Sequence, residues 1–143
     1  MVHPQMFDDD DPLLARVREL CLAFPEAYEK IAHGRPCFHS RAMFAVYGGS
    51  VKNAVPGGPM ERHPRALLVK VPAEDREALA QDPRFFHPAY LGPHGWAGLD
   101  LDGPPTDPQE LAELVDASYR EVCGPRLVRL LDEQGSPAAG GGA

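Results

Sequence analysis

Histidine, cysteine and the basic side chains are the residues of this chain with chemistry to offer, and their spacing decides which chemistry is open. His33, His39, His63, His87 and His94 carry the side chain that most often binds transition metals. Yet the chain has no H-E-x-x-H and no paired cysteines, and no carboxylate stands one or two turns from a histidine on a clear helix, so no metal site is expected. Cys21, Cys37 and Cys123 are odd in number, far apart and without a C-x-x-C pair, which fits a reduced compartment rather than a disulfide framework. Cys37 stands between Pro36 and Phe38 with His33 and His39 nearby, the best activating surroundings of the three, but it reads better as a small buried hydrophobe. Gly48-Gly49-Ser50-Val51-Lys52 lacks the spacing of a phosphate-wrapping loop, and Ser50 is not in a G-x-S-x-G elbow. No catalytic residue and no cofactor are expected.

The cations are the stronger signal. Half of the 14 Lys and Arg residues fall between Lys30 and Lys70, where Glu61 is the only acid; that segment carries +6 in a chain of formal charge −7, leaving −13 on the remainder. A net-acidic protein is a poor general binder of phosphate backbones, whereas a locally basic one is still a candidate. The set is Lys30, Arg35, Arg41, Lys52, Arg62, Arg65 and Lys70, interleaved with Phe38, Phe44 and Tyr47. Cations fix a phosphate backbone and aromatics stack on exposed bases, so a sheet face bearing both would be the relevant surface. The alternative is a set of solvated cations around a hairpin whose aromatics belong to the core.

A second grouping uses partly the same residues. If the turn at Gly34-Arg35-Pro36 packed beside the entry to the strand at Gly95-Trp96, then His33, Arg35, His39, Tyr90, His94 and Trp96 would converge on an apolar cleft for a small anionic or aromatic ligand.

The elements that must position these residues follow from local signals. Asp11-Pro12 is an N-cap and first helical residue, and Leu13, Leu14, Val17, Leu20, Cys21 and Phe24 recur at helical spacing, which predicts a helix from Pro12 to about Ala23. Tyr28 to His33 reads as a short strand, broken at Gly34-Arg35-Pro36. Cys37 to His39 and Met43 to Tyr47 form a hairpin about Ser40-Arg41. Gly48 to Pro64, with four Gly and three Pro, reads as a long loop or extended hairpin tip. Ala66 to Val71 is the clearest strand, and a short helix over Ala73 to Gln81 follows it. Asp82 to Trp96 is turn-rich and aromatic, with His94-Gly95 as a strand-entry turn, and Trp96 to Leu101 alternates as a strand. Asp107-Pro108 repeats the cap, with Glu110 placed for a capping box, ahead of a helix to Val122 whose stripe includes the small Ser118. Gly124-Pro125 interrupts it before a last helical segment around Leu127 to Leu131.

Residues 1–11 are an acidic segment, 12–133 a single domain large enough to bury a proper core, and 134–143 a flexible Gly/Ala-rich tail. Short links cannot make parallel crossovers, so the expected class is α+β: a mainly antiparallel sheet with an N-terminal helix and C-terminal helices packed on it. No run approaches the roughly 20 apolar residues of a membrane span, and an acidic stretch stands where a signal peptide would be basic and then apolar. A cytoplasmic location is expected.

Several short motifs in order carry a further reading: Leu20-Cys21-Leu22-Ala23-Phe24-Pro25-Glu26, Gly34-Arg35-Pro36-Cys37-Phe38, Met43-Phe44-Ala45, Leu67-Leu68-Val69-Lys70, and His94-Gly95-Trp96 with Leu99-Asp100-Leu101. Together they resemble the MmcQ/YjbR family, over roughly Leu13 to Leu131. The resemblance implies a small bacterial α+β protein with the double-wing arrangement, non-enzymatic, and commonly labelled DNA-binding. It departs from the family at the first hairpin, where Ser40-Arg41-Ala42-Met43 stands in place of glycine followed by lysine. DNA is therefore one expected partner; the other reading is a module for a small ligand or a protein, with no DNA role and no membrane contact.

Overall fold

Asp11 is extended, accepts the amide of Leu13 at 2.9 Å and precedes Pro12, and from this cap α1 (Pro12–Leu22) starts as the cap signal predicts. The computed structural model describes residues 4–52 and 57–139. After α1 the chain forms β1 (Tyr28–Ala32) and β2 (Arg35–His39), joined by only two residues, His33 (φ 53°) and Gly34 (φ 80°). Two consecutive positive φ values make the tight turn that matches strand twist, and Gly34 takes its share without strain. The expected break at Gly34-Arg35-Pro36 is thus shorter and earlier: Arg35 and Pro36 are already strand.

β3 (Met43–Val51) and β4 (Glu61–Lys70) pair as far as Val51 opposite Glu61, so of the two readings of Gly48 to Pro64, long loop or extended hairpin tip, the hairpin holds: Gly48–Val51 and Glu61–Pro64 are strand. Gly48 and Gly49, which would favour a loop if exposed, are both buried in this pairing. A register shift between Tyr47 and Gly49 accommodates Pro64, whose missing donor would otherwise break a ladder bond. Residues 53–56, within the expected loop, lie outside the described residues. The expected helix over Ala73 to Gln81 is one 3-10 turn (Ala73–Asp75) followed by α2 (Arg76–Ala80). Then come β5 (Phe85–Phe86), a 3-10 turn (Gly92–His94), β6 (Trp96–Asp100), α3 (Pro108–Val122) and α4 (Pro125–Gln134). Asp107 caps α3 by accepting the amide of Gln109 at 3.0 Å, but Glu110 closes no capping box; it takes Arg84 at 2.6 Å instead.

The six strands form one antiparallel sheet in the order β1-β2-β3-β4-β6-β5, giving the expected α+β class. Strand side chains alternate between faces, so the sheet separates two apolar layers. Phe38, Tyr47, Leu67, Val69 and Leu99 point to the face covered by α1, α3 and α4, where they meet Leu14, Val115, Tyr119 and Leu127. Cys37, Val46, Ala66, Leu68 and Trp96 point to the other face, against Phe86 and Leu91. Among the described residues, none from α1, α3 or α4 packs on this second layer. The segment from Phe86 to Trp96 crosses it, pinned where the Ala89 amide donates to the Ser50 carbonyl at 2.7 Å.

α3 is bonded into the sheet by one buried side chain. The Ser118 hydroxyl donates to the Phe44 carbonyl at 2.6 Å and accepts the Lys70 amide at 2.9 Å, bridging β3 and β4 just beyond their last paired residues, Ala45 and Val69. Within the stretch read as tail, Ser136 bonds to Asp116 and the Ala138 carbonyl accepts from Gln109, so the chain as far as Ala139 is held along α3 by hydrogen bonds. Among the described residues no helix is long and apolar enough to cross a membrane.

Candidate nucleic-acid interface

The sheet register disperses the seven cations of the basic segment. Arg65 faces the helices: its Nη2 lies 2.9 Å from Asp11 Oδ1 and its Nε 3.2 Å from Oδ2, and Tyr47 donates to the same carboxylate at 2.5 Å. Burial opposes ionisation of Asp11, but these hydrogen bonds and the Leu13 amide outweigh it and hold the carboxyl below its ordinary range. Arg65 is therefore spent on the fold and is not a loop cation. Arg41, in the turn between β2 and β3, lies against Gly124 at the α3–α4 junction. Lys70 donates to the His94 carbonyl, at the opposite end of the sheet from Arg35.

The remaining four lie elsewhere. Lys30 pairs with Cys37 in register and so shares the face without helices. Arg35, at the start of β2, runs along Gly48, where a Cβ would stand 3.4 Å from its Cδ and Nε, and its Nη2 reaches the Gly49 carbonyl at 3.3 Å. Arg62 is opposite Ser50 and near enough that its charge, after burial, helps lower the pKa of Arg35. Lys52 stands 5.3 Å from the ring centroid of Tyr90, which is 68% exposed. Arg35, Lys52 and Tyr90 thus gather around Gly48 to Val51 of β3 and Lys52 just after it, while Arg62, the strand neighbour of His63, points to the other face of the same hairpin. Nothing in the sequence sets Arg62 opposite Ser50; the pairing of β3 with β4 does.

Acids are placed differently from these cations. Strands β1 to β4 contain only Glu29 and Glu61. Glu29 is held by Arg18 at 2.8 Å, and the Glu61 carboxylate is 3.5 Å from His63 Nε2.

The YjbR family model matches residues 22–121, from the end of α1 through every strand and nearly all of α3. The chain belongs to the YjbR family. No curated protein matches it significantly.

In this YjbR protein the six residues expected to converge on a cleft do not meet. Phe38, Ala45, Val69 and Ala97 form one row across the sheet, which puts Trp96 toward the His39 end and the His33–Arg35 turn at the other. His39 stacks on Tyr28 at 5.5 Å, and burial followed by the Lys30 charge lowers its pKa. His94 offers its carbonyl to Lys70, while Tyr90 stands by Lys52. Trp96 lines a cavity of about 310 Å³ with Phe86, His87 and Arg76, in which none of the other five takes part.

A larger cleft of about 980 Å³ separates α1 from α3, with Leu13, Val17, Leu67, Leu101 and Leu111 among its walls. No local signal marks it, because it depends on how far apart two helices settle on the sheet.

Reactive side chains of the YjbR chain are placed as follows. Burial raises the pKa of all three thiols, including Cys37, so none is an activated nucleophile. His63 Nδ1 is 2.9 Å from both Asp100 oxygens and its ring stacks on Phe86 at 4.1 Å. Its Nε2 is buried and, among the described residues, neither hydroxyl nor thiol is bonded to it, so the couple lacks the nucleophile that would make it a base in covalent catalysis. Among the described residues no group of three or more His, Cys, Asp or Glu is arranged to hold a metal.

Proposed function

We propose that this YjbR-family protein is a non-enzymatic DNA-binding protein that engages the phosphate backbone with the side of its sheet lacking helices, through Lys30, Arg35 and Lys52, with Arg62 on the neighbouring edge of the β3–β4 hairpin. The supporting observation is the segregation of charge. Arg18, Arg65, Arg84, Arg120 and Arg126 are each paired with a carboxylate, whereas among the described residues no carboxylate pairs with Lys30, Arg35, Lys52 or Arg62. Tyr28 and Tyr90, both at least half exposed, add aromatic surface of the kind that stacks on bases. A few phosphate contacts give weak, sequence-independent and strongly salt-dependent affinity. The test is fluorescence anisotropy of a labelled mixed-sequence duplex over a salt series. Binding that falls linearly in log–log form, with a shallower slope in Arg35→Gln/Arg62→Gln, is expected; no binding even at low salt overturns the proposal.

The cleft between α1 and α3 favours a second reading, a module for an apolar ligand or protein segment, since its size and lining are those of ligand pockets. Saturable binding of an apolar fluorescent dye by the native protein, abolished by Val17→Trp, supports it; absence of binding removes it.

A further inference from the structure

We infer that the cavity of about 310 Å³ enclosed by α2, the end of β4 and the segment from Phe85 to Ala97 binds a small aromatic carboxylate, with its ring against Trp96 and Phe86 and its carboxylate on Arg76. None of Lys30, Arg35, Lys52 and Arg62 lines this cavity, so the inference goes beyond the DNA reading and does not depend on it.

Three planar groups of the lining each occupy the space that a glycine leaves. A Cβ on Gly98 would run into the Phe86 ring, one on Gly92 would lie 2.5 Å from His87 Nε2, and one on Gly95 would lie 2.5 Å from Arg76 Nη2. Any other residue at these positions would push a wall out of place. At Gly95 the φ of 86° would add backbone strain. Phe86 is backed by the His63 ring, with centroids 4.1 Å apart, and Arg76 is anchored by donating from Nε to the Val71 carbonyl at 3.0 Å.

The donors left over decide the ligand. With Nε engaged, Arg76 keeps the N–H groups of Nη1 and Nη2, and among the described residues no carboxylate pairs with it, although Glu74, Asp75 and Glu77 are its neighbours in the chain. A guanidinium fork matches the two oxygens of a carboxylate. The rest of the lining is mostly apolar, with Val71, Leu79 and Phe85 beside the aromatic rings, so a bare inorganic anion would lose its hydration there for one charged partner. An anion with a flat apolar body gains from both parts of the site. Trp96 is buried and Arg76 exposed, which sets the ring of the ligand inside and its charge at the mouth. The volume is at the lower end of the range for ligand pockets, so the body is small.

Benzoate is the probe, with benzamide as its neutral counterpart and acetate as the anion without a ring, each added to the full chain at constant ionic strength. Trp96 is the only tryptophan of the chain, so its emission and its indole N–H signal report on this cavity. Saturable changes with benzoate are expected, with affinity about tenfold weaker for benzamide and no change with acetate. Arg76→Gln should bring benzoate down to the level of benzamide, whereas Arg35→Gln leaves it unaltered. Thermal unfolding shows whether Arg76→Gln is folded, and the difference between benzoate and benzamide in the native chain carries the test if it is not. No saturable change with benzoate, equal affinity for benzamide, or undiminished affinity in folded Arg76→Gln overturns the inference. Benzoate binding without duplex binding keeps this site and refutes the DNA reading; duplex binding without benzoate binding does the reverse.

Discussion

Tyr47, in the middle of β3, donates its phenolic hydrogen to Asp11 Oδ2 at 2.5 Å, so the residue that caps α1 is also anchored to the centre of the sheet. Burial first, and the Asp11 carboxylate second, push the Tyr47 phenol up, which keeps it protonated and donating. Asp11→Ala removes the cap and leaves a buried phenol without its acceptor. It should cost about 2 to 3 kcal/mol. Tyr47→Phe removes the donor alone and should cost about 1 to 2 kcal/mol. Urea unfolding of the two variants and the double mutant measures both, with less than additive losses because the residues share one bond.

The same carboxylate sets an acid limit. A group whose folded pKa lies below its unfolded value contributes stability that is fully present above the ordinary carboxyl value of 3.8 and is lost as pH falls through the lower folded value. The stability difference between the native chain and Asp11→Asn should therefore be constant from pH 7 to about 5 and shrink below pH 4. Thermal unfolding at stepped pH checks this; a difference that persists at pH 2 would contradict it.

Ser118 is fully buried and satisfies two backbone groups that no strand pairs. Ser118→Ala leaves the Phe44 carbonyl and the Lys70 amide unsatisfied and should cost about 2 kcal/mol. Hydrogen exchange at the Lys70 amide should speed up more than at Val69, a distinction that general loosening of α3 would not produce.

Cys21, Cys37 and Cys123 are all at most 5% exposed, with thiols that burial makes harder to ionise. A disulfide-exchange reagent should label none at neutral pH until denaturant unfolds the chain, and then all three. Prompt labelling of Cys37 alone in native buffer would contradict the packing of the second layer.

What could be read in advance tracks how local its cause is. Asp11-Pro12 and Asp107-Pro108 mark the starts of α1 and α3 because a cap is formed by neighbours in the chain. Ser118 reads only as a small residue in a stripe, since its partners on β3 and β4 are distant in sequence. Arg65 looks like a free loop cation until the fold brings Asp11 to it. Arg41 and Arg35 seem one patch in a linear view, but the turns after β1 and β2 send them to opposite ends of β2. Arg62, in a stretch that reads as a loop, is a β4 residue opposite Ser50, because Gly48 and Gly49 continue β3.

The two layers of the sheet should also open at different rates. Helices seal the larger one, whereas the Cys37–Trp96 layer is closed by a connecting segment pinned to β3 at Ala89. Releasing that segment uncovers the smaller layer without unwinding α1, α3 or α4, a sub-global opening that requires less free energy than unfolding the whole chain. Leu67, Leu68 and Val69 of β4 send side chains into both layers, so their amides are protected until both have opened. β4 is then the last part of the molecule to exchange with solvent, and the face bearing Arg35 and Tyr90 belongs to its most readily opened half.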